Sequence, residues 1–138
     1  MKFPYVEFES RLKFKSPRKR IIYRPIIPII LLYEKSMILY DCLIDSGADQ
    51  CVFDSNVADA LRINLKSGKR KPLKGIEGTG IIGYEHTINL RVVGKNFNTK
   101  VLFSGDILPN SYGVLGTRGF FDNFDVNFRY REKYFEVF

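Results

Sequence analysis

The stretch GIEGTGIIGYEHTINLRVV, Gly75 to Val93, alternates polar and apolar residues from Tyr84 onward. A period of two held over that length belongs to a strand with one face in a core and the other in water, and to no helix. Gly94-Lys95 offers a turn, and NFNTKVLF takes the alternation up again, so the two segments read as one long hairpin. Gly75, Gly78, Gly80 and Gly83 crowd its far end, which predicts a mobile tip there.

The other segments carry the same pattern. Tyr5 to Phe14 alternates loosely and suits an edge strand or an arm. Ile26–Tyr33 and Met37–Asp45 flank the polar break EKS and form a second predicted hairpin. Val114-Leu115-Gly116 is a short apolar strand, and Phe124, Val126 and Phe128 with Phe135 and Val137 make a closing hairpin around RYREK. Helical signals are brief: SNVADALRI has Ser55 as a candidate N-cap, and TRGFFDNF has room for one or two turns. The basic segment KSGKRKPLKG, Lys66 to Gly75, reads as a loop. The expected class is all-β with one or two short helices.

At 138 residues the chain reads as one compact unit, long enough to bury roughly two-thirds of its unfolded surface. Its most apolar run, Arg20 to Glu34, falls short of the ~20 residues of a membrane helix and is broken by Arg24, Pro25 and Pro28. The start MKFPYVEFES lacks the apolar core of a signal peptide, and two cysteines are no disulfide framework, so a reducing, cytoplasmic setting is expected with Cys42 and Cys51 as buried thiols. The net charge of +7, concentrated in RLKFKSPRKR, would suit an acidic partner, but no nucleic-acid motif accompanies it and nucleic acid is not the expected partner. His86, the only histidine, lies on a strand without a cluster of ligands, so neither a metal site nor a Ser-His-Asp mechanism is expected.

The chemistry concentrates in LIDSGADQCVF, Leu43 to Phe53. Asp45 follows an apolar strand and opens a tight turn, after which the chain is apolar again at Cys51-Val52-Phe53. A turn-capping role through its own backbone explains the punctuation. A carboxylate clasped by apolar segments is also costly unless it is hydrogen-bonded or used.

LIDSGAD followed by CVF, a glycine-rich hairpin some thirty residues on, and then GVLGTRGFFDNF resembles the retropepsin family of single-domain aspartic proteases over roughly residues 20–138. Residues 1–19 stand outside the resemblance as a basic N-terminal arm or edge strand. The resemblance implies a half-barrel closed by homodimerisation and an endopeptidase without a cofactor or metal, acting on extended peptides. Such chemistry needs two carboxylates sharing one proton, and a chain with one Asp-Ser-Gly must borrow the second from another copy. Asp45 would be the catalytic acid, with Ser46 and Gly47 completing the turn. Ala48 and Asp49 would border the substrate. Ile76, Gly78, Thr79, Gly80, Ile81 and Ile82 would form the flap over it, and Ile76, Ile81 and Ile82 with Val114, on the strand behind the turn, would line apolar pockets for its side chains. Two like charges so close titrate in separated, coupled steps, and the implied pH optimum is acidic to near neutral.

This sequence departs from the retroviral pattern in one place. Those members carry Arg directly after the late Gly, paired with the second Asp of the turn; here Thr117 follows Gly116 and Arg118 comes one position later. Asp49 and Arg118 are the candidate pair. The rival reading of the same residues is a dimeric peptide-binding module with little or no turnover, against which stands the intact Asp45-Ser46-Gly47.

Overall fold

A computed structural model describes residues 1–10, 20–74, 80–107 and 111–138. The predicted β class holds: the described residues are mostly strand, with one short α-helix and a 3-10 turn at Leu65–Ser67. In chain order the strands are β1 (Lys2–Pro4), β2 (Val6–Ser10), β3 (Arg20–Arg24), β4 (Ile26–Tyr33), β5 (Ser36–Ile44) and β6 (Val52–Asp54). After helix α1 (Ser55–Ala60) come β7 (Lys69–Lys74), β8 (Gly80–Val92), β9 (Lys95–Ser104), β10 (Gly113–Leu115), β11 (Val126–Arg129) and β12 (Tyr134–Val137).

The main sheet runs β4-β5-β10-β6-β9-β8-β7, and β4 also pairs with β8 through Ile30↔Arg91, Leu31↔Leu90 and Leu32↔Asn89. That extra pairing wraps the sheet around a core of inward-facing alternate residues, among them Ile27, Ile29, Leu31, Phe53, Leu90, Val92 and Phe103. The long β8–β9 hairpin appears as its alternation requires, from Val92↔Lys95 to Tyr84↔Phe103. Its turn lies one residue earlier than the sequence indicated, at Val93-Gly94, with φ of 49° and 78°. Two successive positive φ angles make the tight turn whose twist matches the strands it joins.

A second, three-stranded sheet, β1-β12-β11, carries Phe135 and Val137 into the same core, and β2 pairs with β3 as a separate ribbon. Of the N-terminal arm, Lys2–Pro4 and Val6–Ser10 are therefore paired strands, while 11–19 lie outside the described residues.

Four local expectations need correction. Within the segment expected as a loop, Lys69–Lys74 is β7, made into strand by its ladder to β8 and not by any apolar pattern of its own. The cap of α1 is Asp54, whose carboxylate accepts from the Asn56 N–H at 3.0 Å, and Ser55 is the first helical residue. TRGFFDNF forms hydrogen-bonded turns without becoming a helix, because Gly119 takes φ of 99°, outside helical space. Phe120 and Phe124 are core residues and Phe121 packs at the core's edge, but Phe128, whose alternation with Phe124 and Val126 predicts an inward face, is 42% exposed on β11.

Candidate active site

β5 ends at Ile44, whose N–H donates to Pro25 O at 2.9 Å, and the next residue, Asp45, donates to Leu115 O at 3.0 Å. The second bond exists because β10 lies parallel to β5 (Gly113↔Cys42, Val114↔Leu43, Leu115↔Ile44) and antiparallel to β6 at Val114↔Val52. The strand before the turn and the strand after it are thus both sewn to β10, and Asp45 stands where all three end.

The turn is braced from within and from behind. Ala48 N–H donates to Asp45 O at 3.2 Å, and Gly47 N–H donates to Asp45 Oδ1 at 2.9 Å. A Cβ at position 47 would lie 3.2 Å from that same Oδ1, so glycine keeps the carboxylate uncrowded. From behind, the Thr117 N–H and Oγ1 reach Ala48 O at 2.8 and 3.2 Å, and Arg118 N–H donates to Asp49 O at 3.0 Å. Gly116 permits this approach: a Cβ there would sit 2.4 Å from Gln50 O and 2.7 Å from Ala48 O. The Asp49–Arg118 link is therefore made by backbone, and no ion pair joins their side chains.

Asp45 is half-buried, with Ser46 and Gly47 exposed beside it. A groove of about 400 Å³ opens next to the turn. Gly47, Ala48, Asp49, Gln50 and Val52 form one wall, Lys71, Pro72 and Leu73 of β7 the other, and Leu102 also lines it. Of the residues singled out from sequence, Gly47, Ala48 and Asp49 meet here. Gly80, Ile81 and Ile82 lie on β8, the strand paired with that second wall. Val114 is half-buried between Leu43 and Val52 and does not line the groove. Ile76, Gly78 and Thr79 lie outside the described residues.

Sequence reading missed the β7 wall and the ion cluster behind it. Lys71 Nζ bonds Glu85 Oε2, and Lys100 stands 3.9 Å from the other oxygen. The hydrogen bond from Lys71, opposed by partial burial, holds the Glu85 carboxyl below its ordinary range. The only advance signal was Glu85 on the polar phase of the β8 alternation.

A wider hollow, about 500 Å³, lies away from Asp45 between β5, α1 and Tyr112. Beside it Tyr40 donates to Ser111 O at 2.8 Å, and burial pushes its phenol up to about 12. Asp54, the carboxylate deepest in that hollow, already caps α1.

No protein-family model and no curated protein matches the sequence. Solved structures do match. A retropepsin-like aspartic protease from Rickettsia conorii superposes with a TM-score of 0.58 at 17% identity, over 81% of this chain and 80% of its own. The chain has a retropepsin-like fold. EIAV protease, in complex with the inhibitor HBY-793, matches with a TM-score of 0.52 at 17% identity, over 76% of this chain and 88% of that one. The match covers the sheet in which β10 lies between the strands on either side of Asp45 only as a likeness of fold, and no helix among the described residues is long and apolar enough to cross a membrane.

Proposed function

We propose that the chain is an aspartic endopeptidase that works as a symmetric homodimer, with Asp45 of each copy supplying half of the catalytic pair. The observation that carries this is a single carboxylate, braced on the Gly47 N–H and half-exposed, on a turn that borders a groove. One such group cannot both take a proton from water and hold one toward a carbonyl. Two can. An ionised Asp45 removes a proton from water as the oxygen attacks the peptide carbon, while the protonated Asp45 donates a hydrogen bond to the carbonyl oxygen. Collapse of the tetrahedral intermediate breaks the C–N bond, and the proton first taken from water goes to the leaving nitrogen.

Residues 20–138 form the catalytic unit in this reading, and residues 1–19 an N-terminal extension. Ser46 offers a hydroxyl to the facing turn, while Ala48 and Asp49 border an extended peptide lying as an added strand. Ile76, Gly78, Thr79, Gly80, Ile81 and Ile82 would form the flap that excludes water, and Val114 supports the turn from behind. The free, buried state of Cys42 and Cys51 fits a reducing, cytoplasmic setting.

The test is cleavage of casein from pH 3 to 8 by the native chain and by Asp45→Asn, with dimer content measured for both. Cleavage by native dimers and none by variant dimers is the expected result. A folded native dimer that cleaves nothing over that range would replace this reading with a peptide-binding module.

A further inference from the structure

The β8–β9 ladder stops at Tyr84↔Phe103, yet β8 continues outward to Gly80 with β7 as its only paired strand among the described residues. At Ile82 the partner in β7 is Pro72, in a pair that exchanges no hydrogen bonds because Ile82 faces its N–H and C=O away from β7. Since Tyr84 pairs with Phe103 on the β9 side, Ile82, two residues on, turns its N–H and C=O the same way, past the end of that ladder. Two unpaired backbone groups at this point would leave the strand free to swing.

Both are taken by side chains. The Ile82 N–H donates to Asp106 Oδ2 at 2.8 Å, and Ser104 Oγ donates to Ile82 O at 2.6 Å. Asp106 N–H donates in turn to Ser104 Oγ at 3.2 Å, so the two clamping residues are tied together. Ser104 is fully buried and Asp106 is exposed. Neither lines the groove.

We propose that Ser104 and Asp106 are positioning residues: a side-chain continuation of the β9 ladder that fixes β8 at Ile82, and through the flanking Lys71↔Gly83 and Leu73↔Ile81 pairs holds the Pro72–Leu73 wall at its height above the Asp45 turn. For its effect on catalysis the inference rests on the peptidase reading; for the clamp itself it does not. Asp106 acts as the carboxylate acceptor of the Ile82 N–H, and its loss leaves that N–H open to water.

The experiment is amide hydrogen exchange on the full chain, native against Asp106→Ala and Asp106→Asn, with the Leu90 amide as internal reference. In Asp106→Ala the Ile82 amide should exchange at least about tenfold faster, the size expected when a charge-assisted bond is lost, while Leu90 is unchanged. Asp106→Asn keeps an acceptor oxygen and should restore most of the protection. Unchanged exchange at Ile82, an equal rise at Leu90, or an Asn variant no better than Ala would each overturn the clamp. These readings need no enzymatic activity, so they stand even if the native chain cleaves nothing. In a cleaving enzyme Asp106→Ala should raise KM by a larger factor than it lowers kcat, and an unmoved KM would overturn the link to the groove.

Discussion

Gly116→Ala tests whether the Asp45 turn is held from behind. The added Cβ would lie 2.4 Å from Gln50 O, 2.6 Å from Gln50 C and 2.7 Å from Ala48 O, all backbone atoms that no rotamer change can move aside. Ordinary contact begins at 3.4 Å, so the difference, 3.4 − 2.4, requires the two segments to part by 1.0 Å. A shift of that size weakens the bonds from the Thr117 N–H to Ala48 O and from the Arg118 N–H to Asp49 O, now 2.8 and 3.0 Å. Overpacking of this kind costs about 1–3 kcal/mol, and a misplacement near 1 Å at a reacting group lowers activity roughly hundredfold. Thermal unfolding and peptide cleavage measure the two effects separately. Gly80→Ala is the matched control for the unfolding measurement, because nothing among the described residues lies within 4 Å of its added Cβ. A Gly116→Ala protein with native stability and native activity would refute the bracing of the turn by the segment after β10.

Other expectations follow from single groups. The folded-state pKa of Glu85 is lowered, so the Lys71–Glu85 pair contributes stability that is present above the ordinary carboxyl range and lost as pH falls through the folded value. Glu85→Gln should therefore flatten the acid limb of a stability-against-pH curve. Tyr40 has the opposite sign: raised to about 12, it favours the fold below its ordinary value of 10.0, and Tyr40→Phe should remove part of the alkaline loss between them. Glu34 is exposed with φ of 49°, so Glu34→Asn should stabilise the chain by roughly 1 kcal/mol in urea titration. Burial holds the Cys42 thiol well above its ordinary range and raises Cys51 to about 11, so a thiol reagent at pH 8 should modify both only after denaturation.

The sequence revealed those parts of the fold that alternation encodes. The β8–β9 and β4–β5 hairpins appear because each residue's side follows from its parity, and Asp45 stands out because its carboxylate interrupts an apolar strand. The wall formed by Lys71, Pro72 and Leu73 was illegible for the converse reason. Its strand is basic, lacks an apolar phase and exists through its pairing with β8. Asp49 and Arg118 were legible as partners but not in their mode of contact, since residue identity predicts side-chain pairing while the contact formed is backbone to backbone. Gly116 and the Ser104–Asp106 clamp belong to the same class, being consequences of where two distant segments cross.

The most direct test of a shared pair of carboxylates is to add Asp45→Asn to a fixed amount of native chain under conditions that let subunits exchange. If each active unit needs Asp45 from two copies, an equal amount of variant should reduce cleavage to about half, through inactive mixed dimers, and excess variant should abolish it. Cleavage that stays at its original level, with mixed dimers present, would contradict the claim that the two Asp45 side chains act as one site.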